Sequence, residues 1–214
     1  MIKKHDFVEI EYTGRIKDNN IVFDTSDKKT AEQNNILNPE MQYGPVILCV
    51  GEQQVLPGLD KDIVGKEAGK EYTVTISPEQ AFGKKDAKLI QLISTSKFHK
   101  ENIRPMPGMQ INVDGRMALV KSVTGGRTLV DFNHPLSGKE VSYSYNIKKI
   151  VTDTAEKIKA LVSMNLGRNA KVDVTENTAI IRSKVDFPVQ IQNTIKETFQ
   201  KLVPELKDIQ FKQE

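Results

Sequence analysis

The 214-residue chain has a single cysteine, Cys49, so no disulfide can form within it, and Cys₄ and Cys₂His₂ zinc sites are excluded. Tryptophan is absent and aromatic residues make up only 6% of the chain, which leaves few large side chains to fill a core. Long apolar runs are missing too. Pro45 to Val50 is among the longest, far short of the ~18 residues a membrane-spanning helix needs. Neither sign of charge dominates: 31 Lys and Arg against 28 Asp and Glu leave a net charge of +3, without the concentrated basic excess of a nucleic-acid binder. Met1 to Asp6 is polar and carries no apolar signal segment. These absences predict a soluble, cytoplasmic protein with neither nucleic acid nor membrane as partner.

Familiar catalytic constellations are missing as well. His5, His99 and His134 are scattered, so a histidine triad is not expected. Gly58 to Lys66 fails as a phosphate loop on spacing, and Glu67 stands where Ser or Thr would have to bind magnesium. No metal and no cofactor is expected. Cys49 lies in an apolar run, where an inert buried thiol is the ordinary reading and a nucleophile the rarer one.

What is present is mostly β. Phe7 to Thr13 alternates and is rich in β-branched and aromatic residues; Gly14 is expected to end it. Asn19-Asn20 reads as a turn before a resumed strand at Ile21–Phe23. Asp24 to Gln42 is polar and Asn-rich, which predicts a long irregular segment. Val46 to Val50 reads as a strand buried on both faces. Pro57 to Gly65 reads as a short helix with Leu59 and Ile63 on one face, and Glu71 to Ile76 as a strand. Between Lys84 and Val130, short apolar clusters are punctuated by Pro and Gly. Strands are expected at Gln110–Val113, Arg116–Val123 and Thr128–Phe132, the last two joined by a Gly125-Gly126 turn, and again at Val141–Ile147. The end of the chain changes texture: helix Thr154–Leu166 stopped by Gly167, a hairpin around Glu176-Asn177, amphipathic helix Val189–Val203 and a closing strand at Leu206–Phe211. An α-β-β-α-β order after an all-β region suggests a separate C-terminal domain.

Read without further context, Tyr12, Phe23, Leu56, Phe82 and Tyr143 are core residues. Asp24 is the odd neighbour, because a carboxylate at an apolar strand end needs a partner or a function. Four segments then fall into one pattern: Tyr12-Thr13-Gly14, Phe23-Asp24-Thr25-Ser26, Val50 to Asp60 and Ile76 to Gly83. In order and spacing they resemble the FKBP-type peptidyl-prolyl cis-trans isomerases. The pattern breaks off after Gly83 and resumes at Asn133 to Lys139, which resembles the SlyD-like and archaeal branch with an inserted "insert-in-flap" chaperone domain. The resemblance is closest over Met1–Gly83 and Asn133–Val151.

The resemblance implies an α+β fold in which an FKBP-like antiparallel β-sheet wraps on a short helix. It implies an isomerase domain (1–83 plus 131–151), an inserted small β-rich chaperone domain (84–130) and a C-terminal α+β domain (152–214). It implies a shallow apolar pocket for proline. Leu59 would be its floor; Tyr12, Phe23, Val55, Leu56, Phe82 and Tyr143 its walls; and Leu136 its rim. The Leu56 N–H would bind a substrate carbonyl and Asp24 would sit beside the twisting amide. Two departures stand out: Phe82 replaces a common Tyr and Val46 replaces a common Phe. In the insert, Leu89, Ile90, Leu92, Ile93, Phe98, Met106 and Met109 either fill a small core or present a surface for unfolded chains. The implied partners are unfolded or partly folded polypeptides with Xaa-Pro bonds. The C-terminal helices are candidates for a homodimer contact, the self-contained domain being the simpler alternative. A non-catalytic holdase on the same fold is the competing reading, left open by Phe82 and Val46.

Overall fold

The computed structural model describes residues 1–167, 170–175 and 177–213. In chain order the elements are β1 (Phe7–Ile16), β2 (Val22–Thr25), α1 (Lys28–Gln33), β3 (Val46–Cys49), α2 (Pro57–Ile63) and β4 (Lys70–Ile76). There follow β5 (Ile90–Ser94), α3 (Thr95–Lys100), β6 (Gln110–Val113), β7 (Arg116–Thr124) and β8 (Arg127–Asp131). The chain closes with β9 (Val141–Val151), α4 (Thr154–Leu166), β10 (Lys171–Thr175), β11 (Thr178–Ser183), α5 (Val189–Leu202) and β12 (Asp208–Gln213). It divides into two compact units, residues 1–76 with 141–214 and residues 77–140.

The first unit is built on an antiparallel sheet in the order β2-β1-β9-β4, with β3 also paired to β1. Period-2 alternation turns Val141, Tyr143, Tyr145 and Ile147 of β9 to one face, all buried, and the solvent side keeps Ser144. α2 starts at Pro57, whose missing N–H costs nothing there, and buries Leu59 and Ile63. β1 does not stop at Gly14 but runs to Ile16, with Gly14 paired to Tyr143. The Asn turn is as expected, Asn20 taking the left-handed conformation (φ 58°).

The opposite face is covered near β3 by the C-terminal section. Ile158, Leu161 and Val162 of α4 share a buried cluster with Phe7, Cys49, Val151, Phe199 and Ile209. This explains the wholly apolar run at β3: Leu48 and Cys49 are both buried, although their side chains point to opposite faces. The C-terminal strands form a sheet β10-β11-β12 in which β10 and β11 are antiparallel and β11 and β12 parallel. The expected hairpin is thus present, with Glu176 of its turn outside the described residues. The closing strand begins at Asp208 rather than Leu206, which is buried before it.

The second unit carries a four-stranded antiparallel sheet, β5-β8-β7-β6, around Phe98, Ile111, Val113, Ala118, Val120 and Val130. Gly125 and Gly126 both have positive φ (56° and 73°), as a two-residue hairpin turn demands. β5 and α3 fall where only apolar clusters were expected.

The segment Asp24–Gln42, expected to be irregular, ends β2 and then forms α1. Asp27 caps this helix by accepting from the Thr30 N–H (2.7 Å), and Ala31 is buried.

Candidate functional site

Tyr12 and Tyr143 face each other from neighbouring strands with ring centroids 5.8 Å apart, and Phe23 meets Tyr143 edge-on at 5.9 Å and 81°. Both are ordinary aromatic geometries. The Tyr143 hydroxyl donates to Asp24 Oδ2 at 3.1 Å. Burial is the main reason the Asp24 carboxyl sits above its ordinary range; the bonds from Tyr143 and the Thr25 backbone pull it back. Burial and then the Asp24 charge push the Tyr12 hydroxyl up to about 12, and the same two causes raise Tyr143 further. The two phenols therefore stay protonated, and Tyr143 is the one that donates to the half-buried carboxylate.

The sequence reading gave no role in the site to two residues, Gly14 and Ser26. A Cβ added to Gly14 would lie 2.7 Å from Tyr143 Cζ and 3.0 Å from Phe23 Cζ. Both rings rest on the bare backbone of Gly14, so glycine is required there for packing, not for a turn. Ser26 is a second contributor, its Oγ accepting from the Tyr12 N–H at 2.9 Å.

The loop before α2 is held by a carboxylate. Buried Asp60 accepts from the Gly51 N–H (2.8 Å) and the Gln53 N–H (3.0 Å). Gln54 Oε1 accepts from the Cys49 N–H at 2.7 Å. Val55 and Leu56 follow, both half-buried. The Leu56 carbonyl accepts the first bonds of α2, from Leu59 and Asp60, while its own N–H has no partner among the described residues. Leu59 is buried and Val46 half-buried. Cys49 is fully buried with its thiol pushed up to about 12 by desolvation, so it is no nucleophile.

Phe82 and Leu136 belong to the second unit. Phe82 stacks on His134 (4.6 Å, 3°) and its carbonyl accepts from Ser137 Oγ. In the same unit Asn133 and Asp86 exchange two hydrogen bonds, of 2.8 and 3.0 Å. Of the apolar residues named for client binding, Leu92 and Met106 are largely exposed (61% and 63%), and Leu89 and Ile90 are half-buried. Ile93 and Met109 pack on the core of the unit. Met117, not singled out from sequence, is as exposed as Leu92. No group of three or more His, Cys, Asp or Glu among the described residues is placed to hold a metal.

Tyr12, Phe23 and Tyr143 thus gather in one part of the sheet beside the half-buried Asp24 carboxylate. Comparison with known proteins gives the family. Residues 1–99 match the FKBP-type peptidyl-prolyl cis-trans isomerase family and residues 91–136 match the IF domain of FKBP26. A short-type peptidyl-prolyl cis-trans isomerase of Methanocaldococcus jannaschii is 35% identical over 150 residues, covering 70% of this chain and 94% of the relative. The SlyD isomerase of Treponema pallidum is 29% identical over 159 residues, covering 72% and 81%. An FKBP-type 16 kDa isomerase of Escherichia coli is 26% identical over 110 residues, covering 50% and 74%. The chain belongs to the FKBP-type peptidyl-prolyl cis-trans isomerases, of the SlyD-like kind, and its substrates are polypeptides.

Proposed function

We propose that Tyr12, Phe23, Asp24, Leu56 and Tyr143, with Val46, Val55 and Leu59, form the prolyl site. Phe82 and Leu136 are included on the family resemblance. Rotation about a peptide bond is opposed by ~18–20 kcal/mol of resonance. The twisted amide has lost that resonance and is less polar than the planar ground state. An apolar cleft therefore favours it over water, which solvates the planar form better. The free Leu56 N–H would hold the carbonyl before the proline. The observation that carries the reading is the Tyr12–Phe23–Tyr143 ring cluster closed on Asp24. The field of that carboxylate would act on the amide nitrogen as it becomes pyramidal.

The second unit would hold unfolded chains. The exposed Leu92, Met106 and Met117 support this, since Met adapts to many partner shapes. Tethering that surface to the prolyl site raises the local substrate concentration. In this reading residues 84–130 act as the chaperone module and 152–214 as a third module. The exposed Val185, Val189 and Ile191 of that module suit a self-contact between two copies.

The test is the cis–trans exchange rate of a short Xaa-Pro peptide by NMR, with wild type and with Phe23→Ala and Asp24→Ala. Acceleration that both variants lose supports the site. Equal acceleration by all three places the chemistry elsewhere.

A further inference from the structure

β3 lies at an edge of the sheet, paired only to β1. Its hydrogen-bonding sense can be read from its neighbours. Val50 donates to the Asp6 carbonyl (2.9 Å) and accepts from the His5 N–H (2.8 Å). Even-numbered residues therefore face β1, and Ile47 and Cys49 point their backbone groups outward. The Cys49 N–H is closed off by the Gln54 side chain. The N–H and C=O of Ile47 have no partner among the described residues. An unpaired edge of this kind is a template for another strand.

Beside that edge runs a groove of about 440 Å³ within the first unit. One wall is the chain from Tyr43 to Ile47; the other is α4, through Lys159, Ala160, Ser163 and Met164. Met164 is 38% exposed despite being apolar. The α4 wall from Glu156 to Met164 is ~12 Å long at 1.5 Å per residue. That length suits about four residues of extended chain at ~3.3 Å each. Glu156 at one end is already paired with Lys149 (2.8 Å), which leaves Lys159 as the cation on the wall. Val46 belongs both to this groove and to the residues assigned to the prolyl site.

We propose that the groove between the outer edge of β3 and α4 extends the substrate site, taking the stretch of polypeptide that flanks the reactive Xaa-Pro bond as an added strand. The occupant follows from continuity. The enzyme's substrate is a polypeptide, and Val46 is shared, so a chain leaving the prolyl site over β3 meets the Ile47 N–H and C=O. Backbone bonds at an edge accept any sequence, and the apolar wall adds a preference for aliphatic side chains. The C-terminal section then acquires a role in catalysis: it supplies one wall of the site for long substrates. This inference rests on the prolyl-site reading.

The experiment compares Ala-Leu-Pro-Phe with the same tetrapeptide extended at both ends by about four residues. Substrate turnover is measured with the full chain, its Ser163→Arg variant and its Met164→Glu variant. Both substitutions fill the groove from exposed positions and should leave the fold intact. Wild type is expected to turn over the long peptide with about tenfold higher kcat/KM, and both variants to lose that advantage through KM while keeping tetrapeptide turnover. Equal kcat/KM for the two peptides in wild type, with the tetrapeptide still turned over, overturns the proposal. If neither peptide is turned over, the prolyl-site reading fails, and binding of a proline-free peptide of the same length decides the groove. Amide shifts confined to Ile47 and α4 support it, and their absence overturns it. Self-association that both variants abolish would assign the groove to a second copy of the chain and also overturn the proposal.

Discussion

A methyl group at Gly14 would meet the Tyr143 and Phe23 rings inside contact distance, and those are two of the three rings that close on Asp24. Overpacking of this sort costs about 1–3 kcal/mol when neighbours must shift. Gly14→Ala is therefore expected to lower stability by that amount in urea denaturation and to cut short-peptide kcat/KM about tenfold, because Tyr143 can no longer reach Asp24. Asp24 itself points the opposite way for stability. Its carboxyl sits above the ordinary 3.8 chiefly through burial, so the folded state holds the proton more tightly than the unfolded chain. Stability then falls as pH rises from below 3.8 through the raised value, and the cost is fully present above it. Asp24→Asn removes an ionised group from a half-buried place. At neutral pH its midpoint of thermal unfolding should equal or exceed that of wild type, the difference shrinking as pH drops through the raised value and vanishing below 3.8, while isomerase activity falls. A variant less stable at pH 7 than at pH 4, relative to wild type, would show that the ionised carboxylate is a net structural asset.

At the level of elements, the 51–56 loop depends on Asp60. Two backbone N–H groups donate to this one buried carboxylate, and stranding buried donors costs about 1–3 kcal/mol each. Asp60→Ala is expected to destabilise by about 3 kcal/mol and to impair turnover by releasing Leu56, both measurable on one preparation. Sequence pattern located α2, β3 and the Gly125-Gly126 turn because each has a local cause: a proline at the helix start, an unbroken apolar run, and a turn that only residues tolerant of positive φ can make. It misjudged Gly14, since the reason for that glycine is a ring carried 129 residues further along the chain. It also missed α1. Lys28–Gln33 has no apolar stripe, and its short helix rests on one cap and one buried alanine. The candidate site residues of the first unit were legible as a family pattern. Their composition alone described a core, and what the structure adds is the Tyr143 hydroxyl donating to Asp24 among the rings.

For the whole molecule the question is what each compact unit contributes. The second unit has its own sheet and its own buried cluster, and residues such as Leu92, Met106 and Met117 do not serve that cluster, being about three-fifths exposed. Apolar side chains left in water are available to apolar segments of another chain, which gain by burying them. A weak surface for unfolded chains would leave a tetrapeptide's rate untouched, because so short a substrate offers it few apolar side chains to hold. It would matter for a refolding protein, which exposes long apolar stretches. Removing Lys84–Val130 and joining Gly83 to Asp131 through a glycine linker should then leave short-peptide turnover largely intact and sharply reduce catalysis of proline-limited refolding. Replacing Leu92 and Met106 by glutamate should reproduce the second effect with the unit still folded. Equal losses on peptide and protein substrates would mean that residues 84–130 are needed for turnover of any substrate, and the division of labour would fail.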